Sequence, residues 1–277
     1  MKSKMIITMG FLSFLFGCSG SSSYKKENGQ WYYKDLLLET GPNGSLKEIN
    51  AFFAVDSRHA FYRNAVIAGS DAESFTALSE HYARDKAHVY YCDTYRKGQE
   101  YYAVRHNRIS VISDADALTF AYLESNYAKD SRKVFYEGKS FPVRDAGSFR
   151  LLEYGFARDA FRGYYLQTEI AESDGKSFQN LDHEYAKDAR NIYFSKVQTH
   201  DVAKPLPVTI PVKLAETASF SVLEKGYARD NKSVFFEGNP IKGANPASFR
   251  MLVTETENAD AKDQAAFYKN GRRLVFN

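Results

Sequence analysis

Apolar and polar positions along this chain recur with a period of 29 residues. An aromatic or leucine anchor stands at Leu46, Phe75, Phe120, Phe149, Phe178, Phe220 and Phe249, at intervals of 29, 45, 29, 29, 42 and 29. The two long intervals equal the period plus insertions of 16 and 13 residues. Counted from its anchor, each of the first six copies is apolar at +3, aromatic at +7, Ala at +8 and Asp at +10, these being Asp56, Asp85, Asp130, Asp159, Asp188 and Asp230. Position +9 is basic except at Val55, and an aromatic pair fills +15 and +16, from Phe61-Tyr62 to Phe235-Phe236. A fixed period of this size marks a tandem array of small supersecondary units.

Within one copy the pattern predicts a β-hairpin. The stretch ending in Tyr-Ala-Lys/Arg is one strand, and Asp opens a turn because its carboxylate can bond the backbone two residues on. The β-branched and aromatic run at +14 to +16 is the return strand. A second turn often carries Gly, as at Gly138 and Gly238, and a segment such as Asp71–Phe75 reads as one short turn of helix. The expected fold is mainly β, a tandem hairpin array of about seven 29-residue units with two or three short strands each plus that helical turn. Open solenoid-like and closed ring or propeller-like arrangements both satisfy the pattern. Isolated hairpins are marginal in water. Adjacent aromatics point to opposite faces of a strand, so both faces call for a neighbouring unit or a ligand.

The ends depart from the consensus, as terminal units of an array do. Trp31-Tyr32-Tyr33 sits in register one period ahead of the first anchored copy and reads as a half unit, one strand without its hairpin partner. The last copy keeps Phe249 and Leu252 but then degrades, with Asp263 at +14.

The consensus Tyr-Ala-Lys/Arg-Asp-x-x-x-Val-Tyr/Phe-Tyr/Phe-x-Gly resembles that of the DKNYY family of bacterial repeat proteins, whose name matches the run equivalent to Asp130–Tyr136. The resemblance covers residues 46–277; Ser, Ala or Asn often replaces Lys after the Asp, and Arg162-Gly163 precedes one aromatic pair. It implies an envelope-associated protein, often a lipoprotein, and carries over no catalytic residue.

The N-terminus reads as a lipoprotein signal over residues 1–17: Lys2 and Lys4, then the apolar Met5–Phe16, too short for a typical span. Leu15-Phe16-Gly17-Cys18 resembles a lipobox, which implies acylation of Cys18, palmitate included, and anchoring at the outer membrane. An ordinary secretory peptide cleaved near Gly20 is the alternative. Residues 18–30 then form the lipidated cysteine and a flexible tether, and residues 31–277 the repeat domain. Loss of residues 1–17 leaves 35 basic against 34 acidic side chains, a balance that argues against a nucleic-acid partner. Only Cys18 and Cys92 occur, so disulfides do not staple this fold.

Candidate chemistry is sparse. One carboxylate per turn lacks the dense ligand spacing of a calcium loop, so the repeated Asp reads as a structural turn-former and no metal site is expected. The basic residue beside it could pair with a neighbouring unit's Asp. The six histidines fall at unlike repeat positions without a zinc or triad spacing, and no phosphate loop occurs, so neither catalytic residues nor cofactors are expected. Insertions in arrays map to exposed loops. Asp93–Asn107 gathers Tyr95, Arg96, Tyr101, Tyr102 and Arg105, residue types enriched in binding hot spots, and it could equally be a hairpin extending the sheet. Lys196–Leu214 carries Pro205, Pro207 and Pro211, which disfavour a central strand. The functional expectation is a non-enzymatic, lipid-anchored envelope module that binds a protein or glycan partner through the aromatic rows and the insertions. The alternatives are a structural or accessory envelope component, or a hydrolase.

Overall fold

The computed structural model describes residues 22–39, 44–102, 104–182, 184–199, 205–256 and 259–275. Residues 1–17, expected to form the signal, and Cys18 lie outside the described residues. The chain divides into two compact units, Met1–Glu73 and Ser74–Asn277. The first contains a three-stranded sheet over 24–37 and a four-stranded sheet over 47–67. The second contains six four-stranded sheets, over 76–111, 121–141, 150–169, 179–211, 221–240 and 250–273. All eight are antiparallel meanders with their strands in chain order, and they are called here the first to the eighth sheet.

Each repeat is thus a four-stranded meander, one strand richer than the widest sequence reading. The added strand is the pair of residues after the anchor: Ala121 and Tyr122 pair with Lys129 and Ala128. Two residues are too few to show a period-two pattern, which is why the strand escapes periodicity. The segment before the anchor is a single hydrogen-bonded turn, as in Phe149 N–H to Ala146 C=O at 3.3 Å. The expected helical turn is not formed; the one helical element among the described residues is a 3₁₀ turn at Gly98–Glu100.

Both termini are more complete than the sequence suggests. Tyr24–Glu27 forms a strand paired with Gln30–Tyr33, so the N-terminal copy has its hairpin partner and the chain is already ordered well inside the expected 18–30 tether. Tyr24 lies opposite Tyr33 as Tyr82 lies opposite Tyr91. The last copy does not degrade. Nine residues separate the paired Met251 and Ala261, where five separate Tyr122 and Ala128. Those four additional residues displace Asp263 to +14, and the turn it forms is otherwise regular.

Sheets within Ser74–Asn277 cover one another in sequence. Tyr82, Val89 and Tyr91 of the third sheet share a core cluster with Phe120, Ala128 and Phe135 of the fourth. Tyr185, Ile192 and Phe194 of the sixth do the same with Ala228 and Phe235 of the seventh. One face of each sheet therefore presents +7, +14 and +16 forward, and the other presents the anchor, +8 and +15 backward. Alanine at +8 leaves room for the preceding sheet's rings. Burying one such ring is worth about 1.5–3 kcal/mol, enough in aggregate to hold sheets that would not persist alone.

Candidate binding surface

The residues that repeat most faithfully are consumed by packing. Asp159 Oδ1 accepts the amides of Phe161 and Arg162 at 2.7 and 2.8 Å, while Oδ2 accepts the Tyr164 hydroxyl at 2.6 Å and the amides of Arg144 and Asp145. Asp188 and Asp263 are held in the same way, with Tyr193 and Tyr268 as hydroxyl donors. All six predicted turn residues, Asp56, Asp85, Asp130, Asp159, Asp188 and Asp230, are buried, and each takes two turn amides on Oδ1. Burial disfavours the Asp159 carboxylate, but the Tyr164 hydroxyl and the backbone amides outweigh it and hold its pKa below the ordinary value. The same balance lowers Asp188 and Asp263. A carboxylate so fully engaged has no free coordination site. Among the described residues no group of three His, Cys, Asp or Glu side chains is placed to hold a metal ion.

The basic residue at +9 does not pair with a neighbouring Asp. Arg84 Nη1 donates to the carbonyls of Ala117, Leu118 and Phe120, at 2.7, 3.3 and 3.2 Å, in the turn that opens the next sheet. Lys129 Nζ meets Ala146, Gly147 and Phe149 in the same way. Arg158 and Arg229 likewise reach carbonyls of the next sheet's turn. Convergent carbonyls accept the cation's hydrogen bonds, while turn carboxylates such as Asp159 are occupied by amide and hydroxyl donors.

The tyrosine at +7 adds a second link. The Tyr82 hydroxyl donates to the Asn126 carbonyl and accepts the Gly138 amide, at 3.1 and 2.8 Å. Tyr185 joins Gly226 and Gly238, and Tyr227 joins Asp260 and Gly271. The Asn126 and Gly226 carbonyls lie between the first and second strands of the next sheet, whereas the Gly138, Gly238 and Gly271 amides lie in the turn between its third and fourth strands, which needs glycine twice over. Gly238 has φ of +76°, and a Cβ there would stand 2.7 Å from the Phe194 Cβ. The fifth sheet has Leu166-Gln167 at this turn, and there the Gln167 side chain serves the Tyr127 hydroxyl.

The aromatic rows do not form a surface. Their rings are buried or half-buried, with Phe61, Phe135, Tyr164 and Phe235 at 0 % exposure. That removes one of the two expected contact surfaces and leaves the insertions.

Both insertions lengthen the hairpin between the third and fourth strands. Eighteen residues separate the paired Tyr91 and Ser110, and fifteen separate Phe194 and Ile210, where two separate Tyr136 and Lys139. Those differences account for the whole of each insertion. In the sixth sheet Pro207 and Pro211 lie in the edge strand Leu206–Pro211, which tolerates the missing donors; 200–204 lie outside the described residues.

The third-sheet hairpin carries the predicted residues to its tip. Only Val89–Tyr91 are supported by a third strand, so Cys92–Tyr95 and His106–Ile109 form a two-stranded ribbon. Arg108 clamps it by gripping Asp93 with two nitrogens, Nε at 2.7 Å, and Tyr95 stacks on His106 with centroids 5.3 Å apart. Beyond it Arg96 lies over the Tyr101 ring and donates to the Tyr101 carbonyl at 3.1 Å. Tyr101 and Tyr102 meet edge to face, and Tyr102 is 90 % exposed. Tyr95, Arg96, Tyr101, Tyr102 and Arg105 are all exposed and close together in the chain, but the structure brings only Arg96, Tyr101 and Tyr102 into mutual ring contact. Cys92, at the base, is buried, and that burial pushes its thiol pKa up, which suits an inert apolar role.

The family model described as DKNYY family matches residues 3–94, 93–168 and 207–272. No curated protein and no solved structure matches the chain.

Proposed function

The chain belongs to the DKNYY family, and from that premise we propose that it is a lipid-anchored module of the bacterial envelope that makes a non-enzymatic contact through the third-sheet hairpin tip. The observation that carries this reading is the division of labour among its conspicuous residues. The repeated Asp closes turns within its own copy and the Tyr and basic side chains link sheets, whereas Tyr95, Arg96, Tyr101, Tyr102 and Arg105 stand exposed on a ribbon. The sheets of Ser74–Asn277 read as a solenoid-like stack whose repeats serve as scaffold. Cys18 anchors it after removal of residues 1–17, on the strength of the lipobox-like Leu15–Cys18. Loss of radiolabelled palmitate from Cys18→Ala, with label on the wild type, is the expected outcome for the anchor; equal labelling refutes it.

The contact is tested in living cells with a photocrosslinking amino acid at Tyr102 and, separately, at Leu118, which is 81 % exposed on a regular repeat. An adduct at 102 absent at 118 is expected. No adduct at 102 leaves the accessory, ligand-free component as the better account.

A further inference from the structure

We infer that the third-sheet hairpin tip seats on an anionic lipid surface, a proposal that rests on the tip being the contact surface. The tip runs without a buried residue from Tyr95 to Tyr102 and again through Val104 and Arg105. Its apolar side chains are Tyr95, Tyr101, Tyr102 and Val104, at 38, 51, 90 and 39 % exposure. Between them stand the cations Arg96, Lys97 and Arg105 and a single carboxylate, Glu100, whose Oε2 lies 3.6 Å from His106 Nε2. Amphipathic rings mixed with cations match the headgroup layer, where Tyr is enriched and each Lys or Arg near an anionic leaflet contributes about 1 kcal/mol.

Size and shape favour this partner over the two others. A stable protein interface takes roughly 800 Å² and 20–30 residues from each side, far more than one hairpin tip presents. A sugar ring asks for a flat aromatic platform, but Tyr101 and Tyr102 stand 78° apart. A bilayer rewards residues singly and needs no complementary shape. The ribbon also lacks a third strand, so its tip stands clear of the four-stranded part of the sheet.

The test uses the full chain reconstituted into vesicles, with an environment-sensitive fluorophore on Tyr102→Cys or, as control, Leu118→Cys. Cys92 is buried, and any label on Cys18 is common to both. Lipids carrying a quencher near the headgroup should dim the probe at 102 by roughly twofold or more in phosphatidylglycerol vesicles and leave 118 unchanged. Replacing Arg96 and Arg105 by Gln should weaken the tip's lipid association about fivefold per cation removed. Equal quenching at the two positions, or none at 102, overturns the lipid proposal. A protein or glycan adduct at 102 in cells alongside that result keeps the contact reading and replaces the partner.

Discussion

Two kinds of junction occur among the sheets of Ser74–Asn277, and they differ in one hydroxyl. Where the seventh sheet follows the sixth, the Tyr185 hydroxyl donates to the Gly226 carbonyl and accepts the Gly238 amide of a two-residue turn, so both of its hydrogen-bonding functions are used. Where the sixth follows the fifth, the +7 residue is Phe156, packed among Phe178, Ala186 and Tyr193. There the two-residue turn that would donate an amide does not exist, because the strands run on into the long hairpin from Phe194 to Ile210. The other long hairpin, in the third sheet, is also preceded in the chain by phenylalanine at +7, Phe53. A buried hydroxyl without that amide to serve is left partly unsatisfied, at a cost of up to about 1–3 kcal/mol, so the extended sixth-sheet hairpin calls for Phe in the fifth sheet. The sixth-sheet extension is therefore matched by the scaffold, as a feature built into the array.

The largest effect should be common to both junctions. Asp159→Ala and Asp188→Ala each strip a buried turn of a carboxylate with several donors, and hydrogen bonds to charged groups contribute about 1.5–3 kcal/mol each. Each variant should lose at least about 3 kcal/mol in denaturant unfolding. The same carboxylates set the acid limit. Their folded pKa values lie below the ordinary 3.8, so their contribution is complete above that pH and is lost as pH falls through the folded values. Thermal midpoints should fall below about pH 4, and less steeply in Asp159→Ala.

The next effect separates the junctions. Phe156→Tyr should destabilise by about 1–3 kcal/mol, because its hydroxyl meets no turn amide. Tyr185→Phe should cost about 1 kcal/mol by removing one hydroxyl that serves Gly226 and Gly238. Smallest of all, Tyr101→Ala with Tyr102→Ala should shift stability by no more than about 0.5 kcal/mol, since exposed surface changes rarely do more. A larger loss would place the tip in the scaffold and remove it as a contact surface.

Much of this was legible beforehand, and the reasons for the rest are physical. The 29-residue period, the β class and the Asp turn follow from side chains that answer the same packing problem in every copy. The basic residue at +9 was misassigned because its partners are carbonyls, which any sequence supplies and none advertises. The first strand was hidden by its length, and the integrity of the last copy by four inserted residues. The choice of Tyr or Phe at +7 was visible in the chain, yet its meaning needed the hairpin in space. The tip residues were legible as a break in the period, because a solved repeat has no packing reason to break it.

The matched pair is tested most directly by a double-mutant cycle between Phe156→Tyr and replacement of Ser195–Thr209 by the Glu-Gly turn found at Glu137-Gly138. In the native chain Phe156→Tyr should destabilise; in the short-turn chain it should become neutral or stabilising, a coupling of about 1–3 kcal/mol by equilibrium unfolding. An equal cost in both backgrounds would contradict the account.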